Sequence, residues 1–381
     1  MYKENLLKRM ATAILFLGVL CSVSAQENDS LLTTLKSELK YNMESLQKQK
    51  TAPYFMSLRL QDSKTTVVQS NLGTATVESN WQRMVTPQIR VGSMELDNFK
   101  YNNQGSGATG ANSRNGKGVL IPVSGRVIPA MRQAIWKEVL RRYDVALNNL
   151  EQAKSKTLTG QDNEDKAPCF SKAPVEKYYE ADLPENQKVL DTEFWKNRLN
   201  KITRVFKRYA DIESGTASLQ FEVYRNYFVN TDGTEVVQNR RVYRVMMSAS
   251  VMAPDGMTCP LNVDYLAYSP EEFPSEEKML ADAQGMVERL KALRVAPIAD
   301  PYTGPAILSG PASGVFFHEI FGHRLEAHRL KSGGQTFKKM VGQKVLPETF
   351  SVYCDPTLQY YHGNALNGYY KYDDEGVKAQ R

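Results

Sequence analysis

Apolar positions along this chain switch between two periods. Across residues 28–48, Leu31, Leu32, Leu35, Leu39 and Met43 recur at helical spacing, which predicts an amphipathic helix capped by Asp29 or Ser30. From 54 to about 99 the period falls to two. Met56, Leu58 and Leu60 alternate with polar residues, 65–68 and 74–77 are rich in β-branched side chains, and strand texture continues over 89–96 after Pro87. That texture predicts strands. Residues 102–117 are Gly-, Asn- and Ser-rich with no hydrophobic period and read as a surface loop.

Helical spacing returns over 129–154 through Met131, Ile135, Val139, Leu140, Tyr143 and Leu147. After a polar loop at 156–174, it appears again over 184–209 with Leu190, Phe194, Leu199, Ile202 and Phe206. Strands are expected at 217–228 and 235–251, joined by Asn230-Thr231-Asp232-Gly233, a sequence suited to a hairpin turn. The aromatic side chains of the first, Tyr224, Tyr227 and Phe228, read as core and sheet surface. A helix over 274–294 opens on Ser275-Glu276-Glu277, where negative charge favours the helix dipole. Residues 297–301, bounded by two prolines, read as a linker. A last helix is expected over about 311–330, with Pro311 at its first position and Ser309 or Gly310 as cap.

Composition narrows the class. With 41% hydrophobic and 24% charged residues in 381, the chain has the balance of a globular protein of two or three domains rather than of a disordered one. A net charge of +6 without any Lys/Arg block argues against nucleic acid as a partner. Lys3, Lys8 and Arg9 precede an apolar run at 11–20 and the small residues Ser22, Ser24 and Ala25. This is the pattern of a cleavable signal peptide over 1–25 and places the protein in the periplasm or outside the cell. The run is too short to span a bilayer comfortably, and no other stretch qualifies. Cys21 does not mark a lipoprotein, since Leu20 stands where a small residue is expected. Cys169, Cys259 and Cys354 are odd in number and widely spaced, which implies no disulfide framework.

The candidate chemistry is concentrated near the C-terminus. The chain has four histidines, and two of them bracket a glutamate in His318-Glu319-Ile320-Phe321-Gly322-His323. Neutral imidazoles are good Zn²⁺ ligands, and a carboxylate beside them can take a proton from water acidified by the metal. The spacing sets a geometric condition. Residues five apart on an ideal α-helix are rotated by about 140°, too far to converge on one ion. A π-bulge, one extra residue in a turn, brings them back into line, and Gly322 weakens the regular helix there. A bulge or bend is therefore expected between Ile320 and His323. His328 repeats the five-residue step, but three residues at about 0°, 140° and 280° share no face. His328 and Glu326 accordingly read as exposed or as supporting the ligands from outside.

This region resembles the TldD/PmbA family of metallopeptidases. The likeness rests on Tyr302-Thr303-Gly304-Pro305-Ala306-Ile307-Leu308, on Ser313-Gly314-Val315, and on the histidine motif with Gly322-His323-Arg324-Leu325-Glu326. Asp355-Pro356-Thr357 and Asp373-Asp374-Glu375-Gly376 extend it, so that it covers roughly 302–376. The resemblance implies that His318 and His323 ligate zinc and that Glu319 is the general base. It also implies a cysteine ligand far downstream, a position that this chain does not contain. Cys354 offers a substitute only if its loop folds back onto the helix. The sequence thus reads as a truncated member of the family.

The fold expected is α+β and multi-domain: an N-terminal strand-and-helix domain over 26–128, a central helix–sheet domain over 129–298, and the beginning of a metal-bearing C-terminal domain over 299–381. The function expected is zinc-dependent hydrolysis of extended or unfolded peptides outside the cytoplasm. The resemblance further implies a dimer with an identical chain or with a TldD/PmbA-like subunit. The alternative is a non-catalytic peptide-binding or assembly subunit of such a complex.

Overall fold

The computed structural model describes residues 26, 28–100, 118–158, 167–326, 337 and 340–381. The expected signal peptide, the loop at 102–117, part of the loop at 156–174 and His328 lie outside or partly outside these residues. Chain order begins with α1 (Ser30–Leu46), whose start is set by Asp29. The Asp29 carboxylate accepts from the backbone N–H of Leu32 at 3.1 Å, satisfying one of the free donors of the first turn. The same carboxylate accepts from Arg225 at 3.1 Å and from the Tyr227 hydroxyl at 3.2 Å, tying the helix to the sheet.

The strand texture after Pro53 resolves into two very long strands, β1 (Pro53–Asn71) and β2 (Thr74–Val91), paired antiparallel along their whole length. Pro87 does not interrupt β2 as the sequence suggested. It pairs opposite Leu58, while β3 (Val119–Ile121) covers the other edge only at Arg83–Val85. Pro87 therefore sits where β2 is an edge strand and its missing N–H leaves no ladder bond unmade. Residues 93–96, expected to continue this strand texture, are not strand.

After α2 (Val127–Leu158) and the short β4 (Lys177–Tyr179), α3 (Thr192–Lys207) starts later than its hydrophobic pattern suggested. The reason is Asp191, whose carboxylate accepts from Phe194 N–H at 3.0 Å and fixes the first turn there. β5 (Ile212–Asn230) and β6 (Glu235–Met252) form the expected hairpin. At its turn Gly233 has φ +103°, and Asn230 Oδ1 accepts from Thr234 N–H at 2.9 Å. β7 (Thr258–Ala267) and α4 (Glu276–Arg294) follow.

Among the described residues these strands make one seven-stranded sheet in the order β3-β2-β1-β5-β6-β4, with β7 also on β6. Segments 26–128 and 129–298 meet in it through β1 and β5. A strand of nineteen residues extends about 60 Å, long enough for two helix pairs on one face. Helices α1 and α2 bury Leu35, Ile135 and Val139 against Leu58, Leu60 and Val229. Farther along, α3 and α4 bury Ile202, Phe206, Met286 and Leu290 against Leu219, Phe221 and Val245. The α+β class follows: helices on one side of a largely antiparallel sheet. No helix among the described residues is long and apolar enough to cross a membrane. No disulfide joins Cys169, Cys259 and Cys354 to one another.

The opposite sheet face receives the end of the chain, from about residue 366, as a strap. The hairpin β8 (Tyr360–Tyr361) with β9 (Asn364–Ala365) leads into it. The Tyr268 hydroxyl donates to Leu366 O at 2.7 Å, and Gln238 donates to Tyr372 O at 2.8 Å. Arg59 pairs with Asp374 at 2.5 Å. At Gly376, φ is +74° and a Cβ would lie 2.6 Å from the Phe228 ring, so only glycine permits this approach. Lys371 bonds to Glu180, which also accepts from Tyr178 and from Asn239 N–H, each at 2.7 Å. Burial alone would raise the Glu180 carboxyl, but the bonds from Lys371, Tyr178 and Asn239 hold it below the usual carboxylate range.

A depressed carboxyl stabilises the docked strap above the ordinary carboxylate range, and that contribution is lost as pH falls through its folded value. For Lys371, burial works against the charge, yet Glu180 outweighs it and holds the ammonium above its usual range. The pair is therefore intact at neutral pH. Glu180→Gln should accelerate amide exchange across 369–379 by about tenfold at pH 7, and acidification of the parent protein should lower the protection factors of the same amides relative to their intrinsic rates. Unchanged exchange in the variant would show that other contacts hold the strap.

Candidate metal centre

The histidine motif lies on one short, irregular helix. Ser309 is its N-cap and Pro311 stands in its first turn, where a missing N–H costs nothing. Regular α-helix, α5, runs over Gly310–Phe317 and then gives way to a π-helical turn over His318–Gly322. One further α-helical turn, His323–Leu325, ends where Glu326 adopts an extended ψ of 115°. The bulge expected from spacing is therefore present. It is closed by a backbone hydrogen bond from His323 N–H to His318 O, so the two histidines are themselves the ends of the widened turn. The helix expected to about residue 330 is described only as far as 326.

The consequence is spatial. The extra residue places His318 and His323 on one side, with ring centroids 4.5 Å apart and planes at 75°. Glu319 stands between them. Its Oε1 is 3.9 Å from His318 Nε2 and its Oε2 is 3.7 Å from His323 Nε2. One ligand atom from each of the three residues lies within 4.8 Å of the others. Those separations exceed a hydrogen bond but suit donor atoms sharing an ion, since two ligands at about 2.0–2.2 Å from zinc in tetrahedral array are roughly 3.4 Å apart. Two imidazoles and a carboxylate are a donor set for zinc, and the residues fit a metal to that extent.

Burial grades the site. The side chains of His318 and Glu319 are 63% and 61% exposed, while that of His323 is 31% exposed. His323 Nδ1 lies 2.8 Å from Glu326 Oε1, so Glu326 meets the ring from outside the three-residue group. Phe321 is the one buried residue of the π turn. Its ring meets Phe337 at 5.6 Å, and it lines a hollow with Leu325, Val345, Leu346, Phe350 and Val352. Cys354 is exposed and is not part of the three-residue group.

The other sequence landmarks of this region are structural. Asp355 Oδ1 accepts from Thr357 N–H at 3.1 Å and from the Thr357 hydroxyl at 2.5 Å, shaping a local turn. Asp373 Oδ1 accepts from Glu375 N–H and Val377 N–H, both at 2.9 Å. That turn presents Asp374 to Arg59 and Gly376 to Phe228 on the sheet.

A π turn is an α-helix carrying one extra residue. Deleting Ile320 should restore a regular helix with histidines four apart on one face, and metal affinity should stay within about tenfold of the parent, because the flanking turns keep their phase. Loss of metal binding in that variant would contradict the assignment of the extra residue to a single π turn.

Comparison with known proteins finds its family match over the segment that carries these three residues. Residues 301–381 match the family described as the PmbA/TldA metallopeptidase C-terminal domain. A metalloprotease of Archaeoglobus fulgidus is 35% identical over 75 residues, 20% of this chain and 16% of that protein. A metalloprotease of Methanothermobacter thermautotrophicus is 27% identical over 173 residues, 45% of this chain and 34% of that protein. The chain thus matches about a third or less of the length of these curated relatives. Among solved structures, a candidate modulator of DNA gyrase from Bacteroides thetaiotaomicron superposes with a TM-score of 0.55 at 11% identity, over 92% of this chain and 68% of that one. A candidate modulator of DNA gyrase from Thermotoga maritima gives 0.50 at 14% identity, over 90% and 66%. At such identities the likeness is one of fold. Residues 301–381 thus match the C-terminal metallopeptidase domain of the TldD/PmbA family, and the chain shares its fold with those solved structures.

Proposed function

We propose that this chain is a zinc-dependent peptidase acting on extended or unfolded peptides outside the cytoplasm. The observation that carries the proposal is the π turn, which gathers His318, Glu319 and His323 within 4.8 Å. Names of relatives as metalloproteases support the reaction class. The basic start, apolar run and small residues within 1–25 support export.

In this reading His318 and His323 hold the ion through their imidazole nitrogens. Zinc, when bound, supplies Lewis acidity that brings the pKa of a water toward about 7 and favours negative charge on a carbonyl oxygen. Glu319 then has the geometry of a general base. Its carboxylate faces the ring nitrogens on the same side, so a water held there is within reach of its oxygens. Glu319 takes the proton from that water as oxygen attacks the peptide carbonyl, and returns it to the departing amine. The amine leaves neutral and the new acid retains the oxygen of the water.

Val315, Phe316, Phe317, Ile320 and Leu325 are exposed beside these residues, which supports a dimer in which an identical chain or a TldD/PmbA-like subunit completes the cleft. A second reading has its own observation. Catalytic zinc sites use about three protein ligands, and among the described residues the group holds two imidazoles and the carboxylate needed as base. That favours a non-catalytic peptide-binding or assembly subunit of the same complex.

Glu319→Gln separates the two. Removing the base while keeping its shape should lower peptide hydrolysis by about 10²–10⁴-fold with metal content unchanged, whereas His323→Ala should lower both. Parent protein that loads zinc and binds peptide without cleaving it would support the subunit reading. Full activity in both variants would contradict the mechanism.

A further inference from the structure

We propose that Glu326 is a positioning residue that fixes His323 in its Nδ1–H tautomer and so turns Nε2 toward His318 and Glu319. The inference rests on the metal-site reading for its consequence, but its core is a property of the protein alone.

Glu326 Oε1 lies 2.8 Å from His323 Nδ1, the separation of a charge-assisted hydrogen bond. An ionised carboxylate only accepts, so Nδ1 must be the donor. A neutral imidazole carries one N–H, and its other nitrogen is then a lone pair. That nitrogen is Nε2, the atom 3.7 Å from Glu319 Oε2. The alternative tautomer would set the Nδ1 lone pair against a carboxylate and leave an N–H where a metal ligand needs a lone pair.

The backbone at this point makes the contact specific. The helix ends at Glu326, whose ψ of 115° is extended, and its carboxylate reaches His323 because residues three apart are neighbours on a helix face. A negative side chain at a helix C-terminus opposes the helix dipole, so helix stability does not account for a glutamate there. The side chains of His323 and Glu326 are each 31% exposed, against 63% for His318. The pair is the sheltered part of the site, where a hydrogen bond is least replaced by water. Carboxylates bonded to the remote nitrogen of a ligating histidine fix its orientation and raise its basicity, and their loss typically weakens metal binding 10- to 100-fold.

The chain contains four histidines, so an imidazole ¹⁵N spectrum has four rings to resolve, with His323→Ala identifying the one that matters. In metal-free protein, above the ordinary histidine titration range, His323 should show a protonated Nδ1 and an unprotonated Nε2. Glu326→Ala should shift that ring toward the Nε2–H form and weaken Zn²⁺ binding, measured by chelator competition, by 10- to 100-fold. Glu326→Gln, whose amide oxygen still accepts, should keep the tautomer and recover part of the affinity. An Nε2–H ring in the parent protein, or a Glu326→Ala variant with the same tautomer and the same Zn²⁺ affinity, overturns the proposal. A tautomer lost in Glu326→Ala, with Zn²⁺ uptake indifferent to His318→Ala and His323→Ala, supports the positioning role and contradicts the metal assignment instead.

Discussion

Five residues separate His318 and His323, and the helical phase of that interval governs the site. On a regular α-helix the two rings diverge and Glu319 has no partner to face. The backbone bond from His323 N–H to His318 O absorbs the extra residue in one widened turn, and the same stroke aligns both imidazoles and leaves Glu319 between them. Gly322 at the end of that turn weakens the regular helix through its backbone freedom rather than through space, since a Cβ there would meet nothing nearer than Phe317 O at 3.9 Å. The motif is therefore a statement about backbone as much as about ligands.

The remainder of the fold supplies a platform. Long β strands carry two helix pairs on one face, each with its own apolar cluster. The other face is more polar and takes the strap that follows the site in sequence. Residues after 355 return to Arg59, Glu180, Gln238 and Tyr268 by hydrogen bonds and ion pairs. The segment bearing the candidate metal site is thus flanked by α4 on one side and by a docked strap on the other. Within it, Phe321 is the buried side chain of the π turn, and the histidines and Glu319 stay accessible.

Much of this was legible in the residues. Period-two and period-3.6 patterns located α1, α2, β1 and the β5–β6 hairpin, because each buries one face and the pattern is that burial. Asp29 and Gly233 marked a helix start and a turn by local chemistry. The π turn was legible because helical phase and metal geometry disagree over a five-residue step. Other elements escaped. In β7, Cys259, Leu261, Val263 and Tyr265 do alternate, but Pro260 reads as a breaker unless the strand is known to be an edge. The start of α3 at Thr192 depended on Asp191 rather than on hydrophobic period. The strap has no period at all, since its contacts are polar and distant in sequence. Asp373, Asp374 and Gly376 drew attention as landmarks, and only the sheet they touch explains why those residue types stand there.

The central claim is that His318 and His323 together hold one metal ion. X-ray absorption at the zinc edge of zinc-loaded protein counts imidazoles directly. The account predicts a first shell with two histidine rings, falling to one in His318→Ala or His323→Ala. A shell with one ring or none in the parent protein would contradict it.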